Sequence, residues 1–327
     1  MRVAVTGASG LIGGALVERL RARGEEVTIL TRSPERARKA HEQAAAGPRA
    51  SGSRRARADE PGVVQPELEL ARWSPLEEVA PAAALAGRHA VVHLAGAPVA
   101  QRWSQRARRA IRESRELGTR NLVAGLASLD PDDRPRALVS ASAIGYYGAH
   151  GPEPIDEEAP AGEDFLAQVC VAWESEARAA EALGLRCVQL RIGVVLDRSG
   201  GALAKMLPPF RLGLGGRVGS GEQYMAWIHR EDLLAIALAA LADERWSGPV
   251  NATAPEPVTG AVFAHVLGRV LHRPSLLPVP SVALDLLYGE MASIITTGVR
   301  AMPAKALVLG HNFAHPSLEE ALRSALA

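Results

Sequence analysis

The stretch Thr6-Gly7-Ala8-Ser9-Gly10-Leu11-Ile12-Gly13 constrains this chain more than any other. It follows a short β-type run, Arg2–Thr6. It opens a segment, 11–23, whose apolar residues Leu11, Ile12, Ala15, Leu16 and Leu20 recur at helical spacing. Gly24 closes that helix, and 27–31 reads as a second strand. At such a strand–turn–helix junction the first glycine lets the chain turn tightly. The second lets the backbone approach a pyrophosphate, and the third lets the helix pack closely. Free N–H groups and the positive end of the helix dipole then face the phosphates. Gly7, Ser9, Gly10, Leu11, Ile12 and Gly13 are therefore the expected cradle of a dinucleotide.

The rest of the chain continues the alternation. Strand patterns at 68–73, 90–94, 137–140 and 187–192 are separated by helical ones, which implies crossovers and a parallel sheet covered on both faces. The expectation is an α/β fold with a Rossmann-type doubly wound parallel sheet. From about Gly200, glycine and proline punctuate the chain, and helices are expected near 230–243, 259–271, 281–296 and 317–326. The expected division is a nucleotide-binding domain over 1–200 and a smaller, mostly helical substrate region over 201–327. Part of 223–250 is expected to return to the sheet. Between Thr31 and Gly62 there is no Ile, Leu, Val, Met, Phe, Trp or Tyr. Such a segment buries too little apolar surface to offset its ordering entropy, so 41–62 is expected to be a mobile insertion.

Composition excludes several classes. A net charge of +1 gives no global basic field, so no nucleic-acid partner is expected. The 34 arginines against three lysines (Lys39, Lys205, Lys305) read as codon bias. No window approaches the length of a membrane span, and the N-terminus runs straight into the first strand without a targeting signal. A cytoplasmic protein is expected, with Cys170 and Cys187 as buried free thiols. No His, Asp or Glu spacing matches a metal site, and none is expected.

The end of the second strand bears on which nucleotide is bound. An NAD site usually carries an acid there for the adenosine ribose. This chain has Thr31-Arg32, and a guanidinium suits a 2′-phosphate, so NADP(H) is expected.

The glycine turn, His93-Leu94-Ala95-Gly96, the run from Ser142 through Tyr146-Tyr147 to Gly148, and Arg191-Ile192-Gly193-Val194-Val195-Leu196 together resemble the extended short-chain dehydrogenase/reductases. More narrowly, Arg102-Trp103, Ser114-Arg115, Trp173-Glu174, the Lys205–Gly216 run and Trp227-Ile228-His229 resemble an atypical branch. That branch is the YfcH-type "epimerase family protein" group of the NAD-dependent epimerase/dehydratase superfamily, and the tail resembles its C-terminal domain of unknown function. The resemblance implies that Leu94, Ala95 and Gly96 border the cofactor. It implies that Arg115 faces it and that Val195 lies by the nicotinamide.

Enzymes of this wider group normally pair a serine with Tyr-x-x-x-Lys, the lysine lowering the phenol pKa for proton exchange. Ser142 is present, but the tyrosine and lysine positions are Leu166 and Cys170. The remaining catalytic candidates are Ser142, Tyr146 and Tyr147 on one loop and His229 after a strand-like run. His229 reads more readily as a core histidine bonded to backbone. An unassisted phenol predicts slow turnover that rises toward alkaline pH. The reading is an NADP(H)-binding oxidoreductase or epimerase/dehydratase-like protein acting on a small polar substrate, as a monomer or homodimer. The alternative is a non-catalytic NADP(H)-binding sensor or regulatory module.

Overall fold

The structure is a computed structural model that describes residues 1–46, 68–280, 282, 284, 286 and 289–327. In the first part of the chain, strands and helices alternate as β1 (Arg2–Thr6), α1 (Leu11–Ala22), β2 (Glu26–Thr31), α2 (Pro34–Ala46), β3 (Glu69–Arg72), the short α3 (Ala82–Leu85), β4 (Ala90–His93), α4 (Gln105–Ala127) and β5 (Ala137–Ala143). There follow β6 (Pro154–Ile155), α5 (Phe165–Arg178), β7 (Arg186–Ile192), β8 (Val194–Leu196), α6 (Gly201–Arg211), β9 (Tyr224–Met225) and β10 (Trp227–His229). Next come α7 (Arg230–Ala242), β11 (Gly248–Ala252), β12 (Val258–Thr259) and α8 (Gly260–Val270).

Seven strands form one parallel sheet in the order β11-β7-β5-β4-β1-β2-β3. The winding reverses between β1 and β4, and a crevice opens at the carboxyl ends of strands where it does so. Strand alternation explains the two faces. Val3, Val5, Val92, Val139 and Leu190 face α1 and α7, in one core with Leu16, Leu20, Leu233 and Ile236. Ala4, Val91, Leu138 and Cys187 turn the other way, onto Leu122 and Leu126 of α4 and Ala177 of α5. Because both faces are covered, the strands read as continuous apolar runs.

A third apolar cluster holds the later part of the chain together. Leu203, Leu207 and Phe210 of α6 meet Trp227, Phe263 and Leu267, and the last helix, Leu318–Leu326, adds Leu318 and Leu322. Pro208 and Pro209, which read as punctuation in the sequence, lie on the exposed side of α6, between buried Leu207 and Phe210. Gly248–Ala252 supplies the edge strand of the main sheet.

The structure corrects one boundary. Residues 41–46 of the expected insertion belong to α2, and His41 is buried. The segment lacks large apolar residues but is rich in Ala, Arg, Glu and Gln, all good helix formers. Intrinsic propensity therefore extends the helix where packing is weak. Residues 47–62 of that insertion lie outside the described residues.

Candidate functional site

The glycine turn between β1 and α1 is shaped by backbone contacts. Gly7 has φ +71°, and a Cβ there would stand 2.6 Å from the Leu94 carbonyl. A Cβ on Gly13 would stand 2.3 Å from the Gly7 oxygen, so this glycine packs against the turn itself. The Gly10 N–H donates to the Gly7 carbonyl at 3.0 Å. Gly10 is the N-cap of α1 and among the described residues no side chain caps the first turn, which leaves its N–H groups for a ligand.

A buried relay, not foreseen from the sequence, braces this turn. Thr6 Oγ1 accepts from the Leu94 and Ala95 N–H groups at 3.2 and 3.3 Å and lies 2.8 Å from His93 Nδ1. The other ring nitrogen of His93 lies 3.0 Å from Thr119 Oγ1 on α4. Burial, with the nearby Arg115 charge, lowers the His93 pKa to about 4, so the imidazole is neutral at pH 7. The available signal was a histidine ending an apolar strand, level with a threonine on the neighbouring strand.

Two concavities adjoin the turn. A cleft of about 430 Å³ is lined by Ser9, Gly10 and Leu11 on one side and by Ser199, Gly200 and Arg230 on the other. Arg230 pairs with Asp197 at 2.5 Å, while its buried Nε has no partner among the described residues. Arg230 was missed in the sequence, where it reads only as the first residue of a helix. Thr31 and Arg32 lie at the end of β2. Arg32 is exposed and makes no ion pair among the described residues.

The larger cavity, about 800 Å³, begins at Ile12 and Leu94 and reaches Ser142 at the end of β5. Leu166, Cys170 and Trp173 of α5 form one wall. Ile294, Ile295 and Val299 of the C-terminal region form another. The expectation for Val195 needs correction: Val194 lines the cavity, whereas Val195, next along the strand, packs against the main core. Gly96 lies under the Arg115 guanidinium, 3.2 Å from where a Cβ would be.

Ser142 is 3% exposed, and its Oγ donates to Glu174 Oε1 at 2.6 Å. Glu174 is gripped at both oxygens by Arg191, at 2.9 Å from Nε and 3.0 Å from Nη2. Arg191 Nη1 donates in turn to the Tyr147 hydroxyl at 2.9 Å, and that hydroxyl donates to Asn251 Oδ1 at 2.7 Å. A closed polar network thus runs from the cavity floor to β11.

This network removes two catalytic candidates. Tyr147 is 1% exposed with its hydroxyl engaged twice, and burial pushes its pKa up to about 12. Tyr146 lays its ring on the Arg191 guanidinium, 3.5 Å from the ring centroid, and is not among the residues lining the cavity. The Ser142–Tyr147 loop therefore supplies no free phenol to the cavity, and among the described residues the phenol that lines it is Tyr224. His229 is corrected as well. Its Nδ1 accepts from the Glu231 N–H and caps α7, and its ring stacks on His315 at 3.9 Å between centroids. Burial and the adjacent His315 lower its pKa to about 4. It acts as a neutral helix cap away from the cavity.

Cys170 and Cys187 are buried free thiols. Burial, followed by the Glu174 charge, pushes the Cys170 thiol up to about 12, so it stays protonated. Asp164 caps α5 through the Ala167 N–H at 2.9 Å. Among the described residues no group of three or more His, Cys, Asp or Glu can hold a metal ion, and no helix is long and apolar enough to cross a membrane.

A doubly wound sheet whose first turn presents an uncapped helix N-terminus, with a cavity at the strand ends beside it, defines a Rossmann-type dinucleotide-binding protein. The chain belongs to the NAD dependent epimerase/dehydratase family, which matches residues 3–252, and residues 279–325 match a domain of unknown function, DUF1731. The chain is 39% identical over 324 residues to an Arabidopsis thaliana protein named "Epimerase family protein SDR39U1 homolog, chloroplastic", covering 99% of this chain and 86% of that one. It is 34% identical over 328 residues to the Bacillus subtilis epimerase family protein YfhF, covering 100% and 98%. The crystal structure of human epimerase family protein SDR39U1 (isoform 2) with NADPH superposes with a TM-score of 0.79 at 31% identity, covering 99% of each chain.

Proposed function

We propose that this chain binds NADPH along the carboxyl edge of its sheet and exchanges hydride between that nucleotide and a small molecule in the adjoining cavity. The observation that carries the reading is the continuity of the uncapped α1 N-terminus with the cavity that ends at Ser142. The residues fit the nucleotide: the glycine cradle has no room for a Cβ at positions 7 and 13, and the buried Nε of Arg230 in the cleft has no acceptor among the described residues. Arg32 suits a 2′-phosphate, and the human relative was crystallised with NADPH.

When bound, the nicotinamide supplies or accepts the hydride. This chain's own part is to hold the substrate oxygen and handle its proton. Ser142 already donates its hydrogen to Glu174, so its lone pairs are free to accept a hydrogen bond from a substrate hydroxyl. Arg191 grips both Glu174 oxygens and holds the carboxylate aligned behind it. The mostly apolar lining limits water at that point.

A second reading, a nucleotide-binding sensor without turnover, is favoured by Leu166 and Cys170, which line the cavity where a phenol and an ammonium would serve catalysis. Calorimetry with NADPH, followed by the gain of reduced-nicotinamide absorbance from NADP+ over a panel of apolar alcohols, separates the two: hydride passes to the nucleotide and the hydroxyl proton through Ser142 to Glu174. Turnover is expected, and Ser142→Ala is expected to slow it about tenfold or more at unchanged NADPH affinity. Binding without turnover across the panel would leave the sensor. Absence of NADPH binding would overturn both readings.

A further inference from the structure

The cavity contains one charge that its surroundings do not explain. Two arginines line it, Arg108 and Arg115. Arg108 pairs with Glu290, but Arg115 has no carboxylate partner among the described residues. Arg115 is partly buried, and burial lowers its pKa from the usual arginine value. The titratable groups that interact with it are the protonated Cys170 thiol and the neutral His93 ring, and neither is a counter-ion. A guanidinium withdrawn from water without an anion is costly to keep.

Its placement is fixed. Nη1 donates to the Ala97 and Ile111 carbonyls, each at 3.1 Å, and the guanidinium carbon lies 4.9 Å from the Trp173 ring centroid. Gly96 makes room for it. The Nε–Nη2 edge is left without a protein acceptor among the described residues, and such an edge matches the two oxygens of a carboxylate. Arg115 is not part of the cleft beside Gly10 and Arg230. It lies instead near Cys170, against the Trp173 ring.

The rest of the lining specifies the body of the ligand. Trp103 and Phe165 stack edge to face at 5.2 Å, and Leu166, Met206, Ile294 and Ile295 add aliphatic surface. Two other charged groups line the cavity besides the arginines. Glu290 is paired with Arg108, and Asp164 sits at the positive end of α5 as its cap. Ser142, Gln223, Tyr224, Ser293 and Thr297 supply the uncharged polar groups of the lining.

We propose that the ligand is a mostly apolar, ring-bearing monocarboxylate whose carboxylate is received by Arg115. The assignment rests on the NADPH reading only in placing that ligand beside the nucleotide. The test uses the NADPH-saturated full chain titrated calorimetrically with 2-naphthoate and with the uncharged 2-naphthamide, for wild type, Arg115→Met and Arg115→Lys. Wild type is expected to prefer the carboxylate about tenfold or more. The preference should vanish in Arg115→Met and return in part in Arg115→Lys. Survival of the preference in Arg115→Met would overturn the proposal. So would a loss of NADPH affinity in that variant with the preference intact, or failure of both probes to bind wild type. A wild-type chain that ignores NADPH yet prefers naphthoate would overturn the nucleotide reading and support this one.

Discussion

At the end of β1 the backbone makes the site, whereas at the end of β5 side chains make it. The Gly7–Gly13 turn presents uncapped N–H groups and excludes any Cβ at positions 7 and 13. At the end of β5, Ser142, Glu174, Arg191, Tyr147 and Asn251 satisfy one another in a buried chain. A backbone device tolerates almost no substitution, because its geometry is the function. A side-chain device can be refurnished one residue at a time. Leu166 and Cys170, which line the cavity where the family resemblance leads one to expect a tyrosine and a lysine, belong to this side-chain half. The contrast also teaches where damage to each half should appear: at the turn as lost ligand, at the network as lost stability.

The largest effect is expected where a charge would be stranded. Glu174→Ala leaves Arg191 buried without its carboxylate and should cost about 3–5 kcal/mol in urea unfolding. The double variant Glu174→Leu/Arg191→Met should recover most of that cost. If the single variant unfolds like wild type, the network is not what holds the end of β5.

An acid-side effect of about 3 kcal/mol is expected from His93, whose pKa falls from 6.5 unfolded to about 4 folded. Over that window the unfolded chain binds the extra proton. Stability is therefore full above pH 6.5 and is lost as pH falls toward 4. The slope of unfolding free energy against pH should flatten in His93→Gln, and an unchanged slope would remove His93 from the brace beneath the turn.

The turn itself gives a contrast between neighbouring glycines. Gly13→Ala drives a Cβ to 2.3 Å from a backbone oxygen, whereas at Gly10 the same atom meets one at 3.3 Å. Gly13→Ala should cost about 1–3 kcal/mol and abolish nucleotide binding. Gly10→Ala should melt close to wild type while weakening the nucleotide. Equal melting of the two variants would break the contrast.

The sequence made the turn legible because glycine spacing is a local signal with a direct physical cause, and the sheet followed from apolar runs of strand length. The side-chain half was harder to read. Tyr147 and His229 stand near the right motifs, but their roles were decided by partners far along the chain, Asn251 and Arg191 for one, His315 for the other. Arg115 was singled out only through a family resemblance, and its lack of a counter-ion among the described residues shows only in three dimensions. Residues 41–46 were misread because low apolar content signals weak packing, not the absence of a helix.

The central claim is that the backbone half of this edge holds NADPH, with Arg32 choosing it over NADH. Calorimetric titration of both nucleotides against wild type and Arg32→Ala tests that claim most directly. NADPH is expected to bind about ten- to hundredfold more tightly than NADH to wild type, as roughly 1.5–3 kcal/mol for a charge-assisted phosphate contact requires, and the two should become nearly equal in the variant. Equal affinities in wild type, or an undiminished preference in Arg32→Ala, would contradict it.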